Sequence, residues 1–329
     1  MSDYEIFMSR CLQLARLGQY EVAPNPMVGA VLVSKDGLII GEGWHRQFGG
    51  AHAEVNCINA AESKHKEIDY SSSTLFVSLE PCSHFGKTPP CADLIISKGI
   101  GKVVVGCLDP NKQVAGNGIK KLREAGVEVT VGVMEAECRE VNKRFITLHE
   151  KGRPYVILKW AQTADGFMGS AARRIPISTA RTKTLVHKMR AENMAILVGA
   201  NTALIDNPRL LCTHWAGHNP VRILLDRHKR VPPNYNIYST DAPTIVYSDN
   251  TDWSFVLRDL AQRDIHSVLV EGGATVHNYI ISTGIYDEIH IETNPSMYLY
   301  EGIAAPKVVP LPHITTEMVD GNIITQMSE

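Results

Sequence analysis

The chain has 329 residues, 33 Lys+Arg against 35 Asp+Glu, a formal net charge of -2, and 44% hydrophobic but only 7% aromatic residues. That length suits about two domains, each large enough to bury a core. Near-neutral charge excludes the strong positive field of a non-specific nucleic-acid binder, and no apolar run approaches the roughly 20 residues that span a bilayer. The N-terminal stretch MSDYEIFMSRCLQLARLGQ mixes charged and apolar residues, unlike a secretory signal, so the expected location is the cytoplasm. Seven cysteines without framework spacing point away from a disulfide scaffold and toward selective thiolate chemistry.

In chain order, Ile6, Phe7, Cys11, Leu14 and Leu17 recur at helical spacing before Gly18. Residues 27–33 and 38–41 predict a strand pair around an Asp36-Gly37 turn. A helix is expected from Ala53. It is followed by strand 74–79, helix 91–98, strand 102–107, helix 118–125, strand 127–131 and helix 135–148. The strands at 75–79 and 103–105 are apolar on both faces, the pattern of a sheet covered by helices on both sides. The polar run Glu150-Lys151-Gly152-Arg153-Pro154 marks the expected boundary, giving domains at 1–150 and 151–329. The second half alternates again: strand 155–160, helix 180–190, strands 195–198, 221–225 and 244–247, helix 253–262, strand 267–270, a Gly272-Gly273 turn, helix 274–282 and strand 288–292.

The sharpest chemical signal is His52-Ala53-Glu54 at a predicted helix start, with Glu80-Pro81-Cys82 downstream and Cys91 beyond it. One imidazole and two thiolates make a three-ligand set for Zn²⁺, leaving a fourth position for water, as a catalytic site requires. Glu54 lies close enough in sequence to share the pocket without ligating, and can carry a proton from water to a departing amine. This is the zinc-deaminase arrangement, with a longer C-x8-C spacing in place of C-x-x-C. Both cysteines are expected near helix starts, where the macrodipole favours thiolate. Cys11, Cys57, Cys107, Cys138 and Cys212 lack such company and read as core or incidental.

In the second half, Lys159-Trp160-Ala161-Gln162-Thr163-Ala164-Asp165-Gly166 ends a strand in a polar turn, and strand ends are where α/β sheets put ligand contacts. Glu271-Gly272-Gly273-Ala274 joins a buried strand to a helix, so it reads either as a bland tight turn or as a close backbone approach to an anion. No G-x-G-x-x-G is present, which argues against an ordinary Rossmann site.

Residues 24–118 resemble the deaminase half of the bifunctional riboflavin-biosynthesis deaminase/reductase family. The resemblance rests on Pro24-Asn25-Pro26-Met27-Val28-Gly29-Ala30, Gly43-Trp44-His45, His52-Ala53-Glu54, the run from Glu80 to Cys91, Asp109-Pro110-Asn111 and Ala115-Gly116-Asn117-Gly118. Residues 153–292 resemble its reductase half through Leu158-Lys159, Asp165-Gly166, Ile196-Leu197-Val198-Gly199, Thr202, Asp206-Asn207-Pro208, Pro220 to Asp226, and Val270-Glu271-Gly272-Gly273. The resemblance implies an N-terminal cytidine-deaminase-like three-layer α/β/α domain and a C-terminal dihydrofolate-reductase-like α/β domain. It implies zinc and NADPH as cofactors and a small phosphorylated pyrimidine as substrate, with no nucleic acid or membrane partner and homo-oligomerisation left open.

By the same resemblance, Asn25, His45 and Lys87 hold the deaminase substrate. Ala161, Thr202, Asp206, Gly273, Ala274, Thr275, Val276, His277 and Asn278 contact the cofactor, while Lys159, Arg190, Leu210 and Glu271 face the reductase substrate. Three departures stand out: Pro176 replaces an expected tryptophan, Thr213 an expected arginine, and Asn294–Gly302 a glycine-rich stretch. His214, Arg209, Arg173 and Arg174 are the candidates to compensate for the lost arginine. The alternatives are a zinc deaminase fused to a non-catalytic or degenerate reductase-like domain, and a nucleoside or RNA-base deaminase.

Overall fold

The computed structural model describes residues 2–83, 89–111, 115–170, 173 and 175–329, and the chain divides into two units, Met1–Lys151 and Gly152–Glu329. The first unit contains α1 (Asp3–Arg16), β1 (Gly29–Val33), β2 (Ile39–Trp44), α2 (Ala53–Lys64), β3 (Thr74–Leu79), α3 (Cys91–Lys98), β4 (Lys102–Cys107), α4 (Asn117–Glu124), β5 (Glu128–Val131), α5 (Glu135–Val141) and α6 (Lys143–Lys151). Its sheet runs β2-β1-β3-β4-β5, antiparallel up to β3 and parallel from β3 to β5. Side chains alternate across this sheet. Ala30, Leu32, Leu75, Val77, Val103 and Val105 pack with α2, α3 and α4, whereas Val31, Val33, Phe76 and Val104 pack with α1 and α5. The result is the expected three-layer arrangement.

Two close approaches position the site in this unit. A Cβ on Gly43 would lie 2.2 Å from the backbone nitrogen of Cys57, so only glycine lets α2 settle so closely on β2. The buried carboxylate of Glu80, just after β3, accepts from the backbone N–H groups of Gly116 and Gly118 at 2.9 Å, Asp109 at 3.2 Å and Ile119 at 3.4 Å. It thereby satisfies orphan donors at the start of α4.

The expected helix 135–148 is broken into α5 and α6. Asn142 leaves the helix because its amide pairs with the backbone of Met27, accepting from N–H at 2.8 Å and donating to the carbonyl at 2.9 Å.

The second unit contains β6 (Tyr155–Thr163), β7 (Phe167–Gly169), α7 (Ala180–Glu192), β8 (Ala195–Gly199), α8 (Ala200–Asp206), β9 (Val221–Leu225), β10 (Thr244–Tyr247), α9 (Trp253–Gln262), β11 (Ser267–Gly272), α10 (Ala274–Thr283), β12 (Glu288–Asn294), β13 (Ile303–Ala304), β14 (His313–Val319) and β15 (Asn322–Ser328). The main sheet runs β10-β9-β8-β11-β6-β12-β15-β14, with parallel pairings up to β12 and antiparallel pairings of β15 with both β12 and β14. One core, built on Trp160, Trp253, Leu197 and Val268, covers one face, and α7 and α8 contribute to smaller clusters. The C-terminal hairpin β14–β15 was not expected from the pattern. It turns at Asp320 and Gly321, both with positive φ. No helix among the described residues is long and apolar enough to cross a membrane.

Candidate active sites

In the first unit, β3 ends just before Glu80-Pro81-Cys82, and two helices start beside it. His52 is the N-cap of α2, but its side chain makes no capping bond and its ring is left for other partners. Cys91 is the first residue of α3. Cys82 is not at a helix start, contrary to expectation. It lies in irregular backbone, and its sulfur is drawn to the start of α3 by the N–H of Cys91 at 3.3 Å.

His52 Nδ1 lies 3.5 Å from Cys82 Sγ and 3.3 Å from Cys91 Sγ, and the three candidate ligand atoms fall within 4.8 Å of one another. Among the described residues this is the one cluster of three His, Cys, Asp or Glu able to hold a metal ion. An imidazole with two thiolates is a donor set suited to zinc. The S–H···S bond from Cys91, joined by bonds from the His52 ring and the Cys91 backbone and opposed by burial, holds the Cys82 thiol low. The same bond with Cys82 and burial push the Cys91 thiol up.

Glu54 is 3% exposed, and burial pushes its carboxyl up to about 7 against the opposing pull of His52. His45 stands edge-on to His52, with ring centroids 5.5 Å apart, and meets Asn25. The structure thus brings Asn25, His45, His52, Glu54, Cys82 and Cys91 into one neighbourhood. Lys87 lies outside the described residues. Of the remaining cysteines, Cys11, Cys57, Cys107 and Cys138 are buried without such company.

In the second unit a cavity of about 650 Å³ opens at the carboxyl ends of the parallel strands. Of the expected residues it is lined by Lys159, Ala161, Arg190, Thr202, Asp206, Glu271, Gly273, Ala274, Thr275 and Val276. Gly272 has φ +104°, and a Cβ there would lie 2.7 Å from His277 Cε1; a Cβ on Gly199 would lie equally close to Val276 Cγ2. These glycines let β8, β11 and α10 converge under the cavity. Arg190 is clamped by Glu271 in two bonds of 2.8 and 2.7 Å and donates to the carbonyl of Leu211 at 3.1 Å.

Three expected contacts fall outside the lining. His277 is fully buried, its ring against Trp160 and its Nε2–H donating to the Val270 carbonyl. Asn278 points outward from α10, because it follows His277 on a helix whose inner face His277 occupies. Leu210 is packed in the core beneath α8.

Among the departures, Pro176 lines the cavity. The backbone N–H of Thr213 donates to His187 Nδ1 at 3.0 Å, and His214, whose ring centroid is 4.6 Å from that of His187, lines the cavity. Arg209 is tied to Asp241 at 2.8 Å, outside the lining; Arg173 lines the cavity, and Arg174 lies outside the described residues. The Asn294–Gly302 segment packs on the 163–166 turn, with Leu299 and Tyr300 N–H donating to Asp165.

Arg227, His228 and Arg230, outside the set expected from the sequence, also line the cavity. The signal was present as a basic run directly after a strand's carboxyl end.

A zinc-ligand triad beside a buried glutamate, and a separate glycine-floored cavity lined by cations, define a two-domain enzyme: a hydrolase of the zinc deaminase class joined to an oxidoreductase. Residues 1–107 match the cytidine and deoxycytidylate deaminase zinc-binding region, and residues 154–298 match the RibD C-terminal domain. The riboflavin biosynthesis protein RibD of Bacillus amyloliquefaciens is 39% identical, covering 93% of this chain and 87% of its own. That of Escherichia coli K12 is 33% identical over 89% of this chain and 88% of its own. Among solved structures, the diaminohydroxyphosphoribosylaminopyrimidine deaminase/5-amino-6-(5-phosphoribosylamino)uracil reductase of Thermotoga maritima has a TM-score of 0.87 at 39% identity, covering 99% of this chain and 98% of that one. The chain belongs to the RibD family of bifunctional riboflavin biosynthesis enzymes.

Proposed function

We propose that the first unit hydrolytically deaminates 2,5-diamino-6-ribosylamino-4(3H)-pyrimidinone 5′-phosphate with zinc, and that the second reduces the ribosyl group of the product to ribityl with NADPH. The observation that carries this reading is the convergence of His52, Cys82 and Cys91 with the buried Glu54.

His52, Cys82 and Cys91 would hold zinc, and the ion, when bound, supplies a Lewis acid that acidifies water near neutral pH. Glu54 takes a proton from the attacking water and delivers it to the leaving amine. One C–O bond forms, one C–N bond breaks and ammonia departs. Asn25 and His45 orient the pyrimidine, with Lys87 assigned to the phosphoribosyl part.

In the second unit, NADPH, when bound, supplies the hydride. Ala161, Thr202, Asp206 and the Gly273–Val276 turn hold the cofactor. The start of α10, the cations Arg227 and Arg230 and the His228 side chain beside them support a cofactor rich in phosphate, and so NADPH over NADH. Lys159, Arg190 and Glu271 face the substrate. His214 and Arg173, both in the cavity lining, are assigned its 5′-phosphate in place of the arginine missing at Thr213. A small-metabolite enzyme of this kind is assigned to the cytoplasm.

Purified protein with zinc, NADPH and the diaminopyrimidinone phosphate should release ammonia and then oxidise NADPH, one for one. Ammonia release without NADPH oxidation would overturn the reductase half, and neither signal would overturn both.

A further inference from the structure

We propose that Glu292 is a positioning residue of the reductase cavity, fixing the Lys159 ammonium and the Ile177–Ser178 wall in the geometry used for reduction. The proposal rests on the reductase reading above. Glu292 sits on β12 in register with Ala161 of β6 and is 2% exposed. It is not part of the cavity lining, yet it touches two residues that are: Ser178 Oγ donates to its Oε2 at 2.6 Å, and Lys159 Nζ lies 3.7 Å from the same oxygen. From behind, Asn322 of β15 donates to its Oε1 at 2.7 Å, and the same amide nitrogen lies 3.3 Å from the Ile177 carbonyl, as does that of Asn294.

Two carboxylate–cation pairs at this cavity, among the described residues, are built differently. Arg190 spends three of its five N–H donors on Glu271 and the Leu211 carbonyl, which fixes the guanidinium. At 3.7 Å the Lys159–Glu292 contact is a charge pair and uses none of the ammonium's three donors. Glu292 therefore holds the cation in place while its donors remain for a ligand. Burial would raise the Glu292 carboxyl, but the charge of Lys159 and bonds from Ser178, Thr182 and Asn322 outweigh it and hold it below the usual range. A buried ionic set is seldom better for stability than well-packed apolar residues. Its placement behind two lining residues from different elements fits a role in the cavity.

The test uses the full chain, so that ammonia release by the first unit serves as an internal control. Glu292→Gln keeps shape and an acceptor but removes the charge. Steady-state reduction of the deaminated pyrimidine phosphate should lose about tenfold or more in kcat, with NADPH affinity and deamination within twofold of wild type. In the Lys159→Ala background the same change should add nothing further. Asn322→Ala, which leaves the charge and loosens its hold, should give a smaller loss in kcat. Wild-type kcat in Glu292→Gln, losses that multiply with Lys159→Ala, or an equal loss of NADPH binding would overturn the proposal. A wild-type protein that releases ammonia but oxidises no NADPH overturns the reductase reading itself, before any variant is made.

Discussion

Asn25 fixes the protonation of His45: its Nδ2 lies 3.0 Å from His45 Nε2, while His45 Nδ1 lies 3.0 Å from the carbonyl oxygen of Ala51. A carbonyl only accepts, so Nδ1 carries the proton and Nε2 accepts from the amide. Burial lowers the pKa of this ring, consistent with a neutral imidazole beside the zinc ligands. Asn25→Asp would favour the imidazolium instead. Deamination should fall by about tenfold or more with zinc content unchanged, as measured by ammonia release and elemental analysis.

Glu54→Gln removes the proton carrier but no ligand. Zinc content should stay near one per chain, while deamination falls by about 10²- to 10⁴-fold. A variant with most of its activity would remove Glu54 from the chemistry.

Cys82→Ser or Cys91→Ser should lower zinc occupancy and abolish deamination, because each takes one thiolate from a three-ligand set. Reduction of supplied deaminated substrate should persist, since the cavity belongs to the other unit. Unchanged zinc in either variant would rule that sulfur out as a ligand.

Arg230 lines the cavity and donates to Asn201 Oδ1 at 2.8 Å. If it serves the extra phosphate of NADPH, Arg230→Ala should raise KM for NADPH by about tenfold and leave KM for NADH unchanged. An equal rise for both would place its role elsewhere.

Burial pushes the fully buried His277 imidazole down to about 4. The unfolded chain, with a histidine pKa near 6.5, therefore binds this proton more readily than the folded chain does. The stabilising effect of a neutral His277 is complete above about 6.5 and is lost as pH falls toward about 4, an effect on the order of 3 kcal/mol. The melting temperature should drop through that window, and the drop should be shallower in His277→Leu.

The five-stranded sheet could be read from the sequence because apolar runs such as Leu75–Leu79 and Val103–Val105 are buried on both faces, the pattern of a covered sheet. The zinc set could be read because its residues keep a fixed chemistry at a helix start and a strand end. The end of α5 could not, since Asn142 is drawn out of the helix by Met27, a partner far away in sequence. The β14–β15 hairpin was missed although Asp320-Gly321 between alternating runs is a turn signal; β14 is an exposed edge strand whose weak apolar pattern hides it. The outward direction of Asn278 and the burial of His277 depend on how α10 rests on Gly272, a tertiary contact without a local signature.

Glu80 and Gly118 have a consequence for how the metal is felt in the rest of the first unit. A Cβ on Gly118 would sit 2.0 Å from the Pro81 carbonyl, and Glu80 already grips the amides of Gly116, Gly118 and Ile119. The start of α4 and the strand end that carries Cys82 therefore move as one body. The amide protons of Gly116, Gly118 and Ile119 become reporters of zinc occupancy: exchange with deuterated solvent should quicken there when a chelator strips the ion, although none of the three is a ligand.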